Sequence, residues 1–411
     1  MKKVICMVCS FFLIFLNGCN NILRNDFDDT FDIANVTNSI YDINNKVIGQ
    51  IEHFGRMQLT DNSIIYTKIP NAPVKKITKI DYYRYVIETG ENIKIGTVKE
   101  FVGCADYDAV IVNNHLYSFI TTGDFVDIDK RVLKLYDIDL NSNKMSVLST
   151  QKGGFPYSFM TVAGNKILMG KSVPYGNCYV EEYNIDTKET SIILNFDYNY
   201  ETEVGDGLRQ ITSDENTISL LRINSESKDD ACLYLDIYDH EMNFLRTVDL
   251  ATICSDTEGS DEVNQRCQAV SSFFVLNNYI YYENFSLTRF LGKIEGDSIK
   301  SIMKTNMYLK MASELVKNQD ASVFFQAYGT VDDTHEGGND LYLFDTVSGI
   351  IKKAEFYADY EGYYFVNATM DTNDNLLITM VCEDPEPAEK LPPRLYYINL
   401  SDLEFETLGT N

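Results

Sequence analysis

One hairpin pattern recurs along almost the whole chain and limits what it can fold into. In residues 135–148, two stretches of alternating apolar and polar residues flank an Asp/Asn-rich turn, which is the pattern of a β-hairpin. Such turns recur at intervals of about 50 residues, each entered through an acid or amide that can hydrogen-bond the local backbone. The entry positions are Asn44, Glu88, Asp139, Asp186, Asp239, Glu295, Asp345 and Asn399.

A second pair of β-runs lies between successive hairpins, so each repeat contains four strands. These inner pairs occupy residues 57–69, 109–121, 159–170, 211–223, 272–283, 321–328 and 364–381. Helical periodicity is nearly absent, and only residues 307–317 are predicted to form a short helix. A four-stranded antiparallel sheet cannot bury both faces alone, whereas sheets stacked around a ring can. The sequence therefore predicts an all-β fold, a β-propeller of four-stranded antiparallel blades over residues 39–411.

The number of blades depends on an extra hairpin at residues 39–51. Eight outer hairpins alternate with only seven inner pairs. We predict seven blades preceded by this hairpin. The alternative is eight blades, of which the first is incomplete or is completed by the preceding segment. Tandem sandwiches fit less well, because they would not keep one hairpin type in phase over the chain.

The first residues carry the pattern of a secretion signal. Lys2 and Lys3 precede an uncharged run over residues 4–16, which is shorter than the about 20 residues of a membrane-spanning helix. Residues 16–19 read Leu-Asn-Gly-Cys, which resembles the lipobox of bacterial lipoproteins. This resemblance implies a signal peptide over residues 1–18, lipidation of Cys19 and a flexible tether over residues 19–38. An ordinary signal peptide and a retained membrane anchor are the alternatives.

Taken together, the repeats and the lipobox resemble a broad class of uncharacterised bacterial lipoproteins with divergent propeller repeats. The chain contains no Trp, which removes the Trp-based signatures of WD40, sialidase and quinoprotein propellers. The resemblance implies a location at the bacterial cell membrane, held by the lipid and facing outside the cytoplasm. The net charge of -26 opposes binding to nucleic acid, and we expect no such partner.

The cysteine positions allow one disulfide, but the sequence does not decide whether it forms. Cys254 and Cys267 lie close in sequence and would close a polar loop, which an oxidising compartment permits and a reducing one does not. Cys178 and Cys232 fall near the start of equivalent strands, and we expect both to be small buried residues.

The resemblance to propellers implies a ligand face built from the loops between blades and the loops joining each second strand to the third. Two of these loops, residues 197–206 and 357–363, combine Tyr with carboxylates, which suits sugars or basic peptides. The alternative is that Tyr simply favours strands and their ends. The candidate residues are Tyr157, Tyr198, Tyr200, Glu201, Tyr360, Glu361 and Tyr363.

No cofactor or metal site is predicted. Calcium needs about six to eight oxygen ligands. The best candidates to supply them are residues 332–340 and the pair Asp127 and Asp129. The alternative for both is an acidic loop that is simply solvated. No catalytic residues are assigned, since the four His are scattered and no Gly-x-Ser-x-Gly motif occurs.

The sequence thus favours a non-catalytic binding or scaffold module for a glycan, peptide or protein partner. The alternative is a carbohydrate-active enzyme of glycosidase or lyase type, which would need two carboxylates about 5 to 10 Å apart in a central pocket.

Overall fold

A computed structural model describes most of the repeat region. The described residues are 37–52, 55–60, 62–69, 77–100, 104–123, 127–154, 160–173, 177–199, 204–225, 231–250, 270–284, 289–305, 308–311, 322–328, 340–355, 363–371, 373–382 and 393–407. They contain strands β1 to β31 and two 3-10 turns, Ile128–Lys130 and Leu400–Asp402, with no α-helix among them. The signal sequence and Cys19 lie outside the described residues.

Seven separate sheets form the blades of a ring. Blade 1 consists of β3 (Met57–Thr60), β4 (Ser63–Lys68), β5 (Lys79–Val86) and β6 (Glu91–Lys99). Blade 2 consists of β7 (Cys104–Val112), β8 (His115–Gly123), β9 (Arg131–Asp139) and β10 (Lys144–Lys152). Blade 3 consists of β11 (Thr161–Ala163), β12 (Lys166–Ser172), β13 (Cys178–Asn184) and β14 (Thr190–Phe196).

The next two blades follow the same order from the inner to the outer strand. Blade 4 consists of β15 (Tyr198–Asn199), β16 (Val204–Ser213), β17 (Ile218–Ser225), β18 (Ala231–Tyr238) and β19 (Phe244–Asp249). Blade 5 consists of β20 (Val270–Leu276), β21 (Tyr279–Asn284), β22 (Arg289–Glu295) and β23 (Ser298–Thr305).

The last two blades also receive the two ends of the described chain. Blade 6 consists of β24 (Tyr308–Met311), β25 (Ser322–Tyr328), β26 (Asp340–Asp345), β27 (Ile350–Glu355) and, outermost, β31 (Glu406–Thr407). Blade 7 consists of β28 (Tyr363–Met370), β29 (Asn375–Cys382), β30 (Arg394–Asn399) and then β1 (Thr37–Tyr41) and β2 (Val47–Glu52). The predicted seven-bladed propeller is confirmed, and the eight-bladed alternative is wrong.

The N-terminal hairpin closes the ring. Strand β1 pairs in parallel with β30, with Ile40 opposite Leu395 and Tyr41 opposite Tyr396. Ile40 and Ile51 are each 0% exposed and pack with Leu59 of blade 1. The hairpin is therefore a structural part of blade 7 that also buries the neighbouring face of blade 1.

Two local predictions were wrong. Of the segment predicted as a helix, residues 307–317, the structure describes only 308–311. These residues form β24 instead, because their pairing with β25 forms the inner edge of blade 6. Asn399 does not enter a hairpin either. It caps the 3-10 turn Leu400–Asp402, after which β31 pairs with β27, with Glu406 opposite Lys353.

The hydrophobic core lies between the blades, in contacts that we call seams and name by the two blades that they join. Each sheet presents an apolar face to both neighbours, as stacking around a ring requires. Representative buried pairs are Ile80 and Ile120 (seam 1–2), Phe119 and Ile167 (seam 2–3), Val180 and Leu220 (seam 3–4), Leu235 and Ile280 (seam 4–5), Ala354 and Ile378 (seam 6–7), and Leu377 and Ile64 (seam 7–1).

The hairpin turns owe their shape to side chains that accept backbone hydrogen bonds. Asp139 Oδ1 accepts from the backbone N–H groups of Asn141 and Ser142, at 2.8 and 3.2 Å. Asp345 accepts in the same way. In two hairpins the accepting residue lies two positions before the predicted one, at Asp42 and Asn184.

Six outer strands share a bulge that the hairpin pattern did not reveal. In each, the register of pairing skips one residue, and that residue is always Ile or Leu. The skipped residues are Ile48, Ile95, Leu148, Ile193, Leu245 and Ile302. A bulge increases the local twist and makes an exposed edge a poor template for pairing with another chain.

Candidate functional site

A buried cluster of charged side chains lies where the inner strands of blades 1 and 2 meet. Arg56, just before β3, reaches Asp106 and Asp108 on β7. Its Nη1 donates to Asp108 Oδ1 at 2.9 Å, and its Nε lies 3.3 Å from Asp106 Oδ2. Its Nη2 donates to the carbonyl oxygen of Tyr107. We call Arg56, Asp106 and Asp108 the Arg56 cluster.

A bulge at Tyr107 turns the two carboxylates of this cluster to opposite faces of blade 2. Residues two apart on a regular strand share a face. Here the pairing runs from Asp106 opposite Ile120 to Asp108 opposite Phe119, which leaves Tyr107 as the extra residue. Asp106 therefore faces seam 1–2. Asp108 faces seam 2–3, where its Oδ2 accepts from the backbone N–H of Met160 at 2.6 Å.

Burial dominates the electrostatics of the Arg56 cluster. Asp106 is 0% exposed, and burial raises its pKa to about 6 although Arg56 acts in the opposite direction. Burial also raises the pKa of Asp108, against the effects of Arg56 and two backbone N–H donors. Asp106 Oδ1 accepts from Ser118 Oγ at 3.2 Å, and that hydroxyl lies 2.8 Å from Tyr82 Oη. Asp106 thus has a raised pKa and does not contact solvent.

A second cluster lies in blade 4 around Arg222. Arg222 Nε donates to Asp236 Oδ2 at 2.6 Å, and its Nη1 donates to Asp206 Oδ1 at 2.8 Å. Asp236 also accepts from Thr247 Oγ1, and Asp206 from Asn224 Nδ2, both at 2.6 Å. The side chain of Asp206 is 46% exposed, so this carboxylate is the part of the cluster that a ligand can reach.

A third charge pair is buried in seam 2–3. The Lys171 side chain is 1% exposed, donates to Glu181 and lies 5.3 Å from the centre of the Phe119 ring. Burial lowers the pKa of Lys171, although Glu181 acts in the opposite direction. The ion pair itself lies within blade 3, and only the contact of Lys171 with the Phe119 ring reaches blade 2.

The sequence contains a signal for the Arg56 cluster that the prediction missed. Asp106 and Asp108 stand directly before the inner pair predicted over residues 109–121, and carboxylates that are buried there need a cationic partner. Arg56 stands directly before the inner pair of the preceding repeat, at the position from which it can reach them.

The candidate ligand loops fall mostly outside the described residues, as do Tyr157, Tyr200, Glu201, Tyr360 and Glu361. Tyr198 forms β15 and is 5% exposed; its ring packs in seam 4–5 with Ile223 and lies 5.8 Å from Arg209 Cζ. Its ring therefore supports the base of its loop. Tyr363 begins β28, opposite Cys382. The ligand face stays a prediction.

The cysteine predictions have mixed outcomes. Cys254 and Cys267 lie outside the described residues. Cys178 is buried, and its Sγ accepts from the backbone N–H of Leu208 at 3.2 Å. Cys232 is exposed, so its predicted burial was wrong. Its register partner is the polar Asn224 and not an apolar residue.

Of the two calcium candidates, residues 332–339 lie outside the described residues. Asp127 is engaged locally: its Oδ2 lies 2.7 Å from Lys130 Nζ, and its Oδ1 accepts from the backbone N–H of Asp129. Within the described ranges no group of three or more His, Cys, Asp or Glu side chains could hold a metal ion. In the same ranges, no helix has both the length and the apolar character needed to cross a membrane.

Known proteins are similar to this chain in fold and not in sequence. No family model matches it, and no curated protein matches it significantly. The β-propeller domain of the Trilobed protease from Pyrococcus furiosus, described as having an open velcro topology, superimposes with a TM-score of 0.51 at 9% identity, covering 87% of this chain and 95% of that one. This likeness supports the propeller fold.

Two further solved structures are similar at lower scores. An oligogalacturonate lyase from Vibrio parahaemolyticus has a TM-score of 0.47 and 12% identity, with 87% of each chain covered. A prolyl endopeptidase has a TM-score of 0.49 and 11% identity, covering 81% of this chain and 47% of that one.

Proposed function

We propose that this chain is a lipid-anchored propeller outside the cytoplasm of a bacterial cell, where it binds a glycan, peptide or protein partner and performs no reaction itself. The observation that supports this most is the engagement of Asp106 and Asp108. Both lie on one strand, both contact Arg56, and Asp106 has no exposed surface. Carboxylates held in this way join blades and are not available to a substrate.

Glycoside cleavage by the alternative mechanism would need two carboxylates flanking a bound sugar. In the Arg222 cluster, Asp206 is reachable, but Asp236 is buried and accepts from both Arg222 and Thr247. These bonds hold Asp236 as a structural partner of Arg222. Binding therefore explains the described carboxylates better than catalysis does.

The proposed ligand surface is the face that carries the loops between blades. Tyr157, Tyr200 and Tyr360 would supply apolar rings with polar tips, and Glu201 and Glu361 would supply acceptors for hydroxyl or ammonium groups. Asp206 lies on β16, directly after the loop that contains Tyr200 and Glu201.

The purified chain from residue 20 onward can test this proposal on glycan and peptide arrays and in a broad polysaccharide cleavage screen. We expect retention of one ligand class without product formation, and loss of retention in a Tyr200→Ala/Tyr360→Ala variant. Cleavage of any polysaccharide would contradict the non-catalytic role.

Lipid anchoring has a separate test. Cys19→Ala should move the protein from the membrane fraction to the soluble fraction, because two or more acyl chains anchor stably and nothing would replace them. Cys9→Ala, within the uncharged run, is the matched control and should leave the protein with the membrane. Membrane retention of the Cys19→Ala protein would show that the uncharged run itself is the anchor.

A further inference from the structure

A small cavity lies in seam 1–2 beside the Arg56 cluster. Its lining includes Gln58, Tyr82, Asp106, Ala109 and Leu116. The volume of the cavity is about 10 Å³. That is close to the smallest volume that holds one water molecule.

Two residues that line this cavity each carry a buried acceptor oxygen without a hydrogen-bond donor. Asp106 Oδ2 and Gln58 Oε1 are both buried, and neither accepts a hydrogen bond from any residue that the structure describes. The orientation of the Gln58 amide is fixed, because its Nε2 donates to the carbonyl oxygen of Ala109. Asp106 is oriented by the hydrogen bond from Ser118 to its other oxygen.

The chemistry of the cavity selects its occupant. Two acceptor oxygens need a molecule that can donate twice, and buried polar atoms in proteins are nearly always satisfied by protein or by ordered water. A metal cation would lie beside the guanidinium of Arg56, whose Nε is 3.3 Å from Asp106 Oδ2, and would be repelled. A cavity of about 10 Å³ has no room for a larger ligand.

We propose that one internal water molecule occupies this cavity and donates hydrogen bonds to Asp106 Oδ2 and Gln58 Oε1. Because Gln58 lies on β3 and Asp106 on β7, the water joins the inner strands of blades 1 and 2. It also donates to Asp106 Oδ2, which otherwise has only the 3.3 Å ion-pair contact with Arg56 Nε. This proposal does not depend on the proposed ligand face.

The direct test is a crystal structure of the chain from residue 20 onward, at a resolution that shows ordered water. We expect a density peak about 2.5–3.0 Å from both oxygens, the usual distance for such bonds. An empty cavity would overturn the proposal. So would a peak with anomalous signal after soaking in rubidium chloride, since that would identify a cation site.

A matched pair of substitutions at Ala109, which lines the cavity, tests the same proposal in solution. Ala109→Thr and Ala109→Val fill the cavity with side chains of nearly equal shape, and both should expel the water. The Thr hydroxyl can donate to one of the two acceptors, whereas Val leaves both unsatisfied. We therefore expect a higher Tm for Ala109→Thr than for Ala109→Val. An equal or higher Tm for Ala109→Val would contradict the proposal, because the two oxygens would then need no donor.

Discussion

Replacing Arg56 by Met should weaken the propeller far more than the loss of one surface charge would. Asp106 and Asp108 are buried and their described cationic partner is Arg56. Removing one partner of a buried ion pair leaves an uncompensated charge, which costs about 3–5 kcal/mol. We expect a loss of this size in the free energy of unfolding at pH 7.5.

Arg84→Met is the matched control for this substitution. Arg84 also extends from blade 1 to blade 2, but the hydrogen bond of its Nη1 goes to the carbonyl oxygen of Leu140, at 2.8 Å, and not to a carboxylate. The loss of such a bond costs about 1–2 kcal/mol. Urea unfolding followed by far-ultraviolet circular dichroism gives both values.

The loss of unfolding free energy in Arg56→Met should depend on pH because of Asp106. Arg56 lowers the pKa of Asp106, so the variant should bind this proton more tightly in the folded state than the wild type does. A carboxyl with a raised folded-state pKa gains stability as the pH falls. The defect should therefore shrink between pH 8 and pH 5. The reasoning would be refuted if Arg56→Met lost no more unfolding free energy than Arg84→Met does. It would also be refuted if the loss in Arg56→Met were the same at pH 8 and pH 5.

Two further predictions concern single positions. The pKa of Asp106 is about 6 in the folded chain and 3.8 in the unfolded chain. Above pH 7 its ionised form therefore lowers the free energy of unfolding by about 3 kcal/mol. This destabilisation disappears as the pH falls toward 4. The stability of the wild type relative to Asp106→Asn, measured by urea unfolding, should rise by up to that amount over this range, and a pH-independent difference would contradict the prediction. Ile51→Ala, in the ring-closing hairpin, should cost about 2–5 kcal/mol because Ile51 is fully buried, whereas Val47→Ala, at a side chain 48% exposed, should change little. Equal effects in thermal unfolding would show that the hairpin does not pack as part of blade 7.

The blade count could be predicted from the sequence because each blade is built from neighbouring strands with their own turns. Ring closure could not, since Ile40 pairs with Leu395, at the other end of the chain, and no local pattern marks that contact. A surplus hairpin was recognised, but its place depends on parallel pairing with β30.

The Arg56 cluster was missed for a related reason. Alternation along a strand predicts that Asp106 and Asp108 share a face, and only the bulge at Tyr107 separates them. The bulge in turn lets one arginine from the preceding blade contact both carboxylates. Such an arrangement depends on how two sheets meet, and a single sequence carries no direct record of that.

Hydrogen exchange along β30 tests ring closure by the N-terminal hairpin most directly. If β1 lies against it, β30 is an internal strand, paired with β29 on one side and β1 on the other. Its amides should then exchange as slowly as those of the internal strand β18, and more slowly than those of the outer strand β19. Exchange in β30 as fast as in β19 would mean that β30 is an edge, and would contradict closure of the ring by this hairpin.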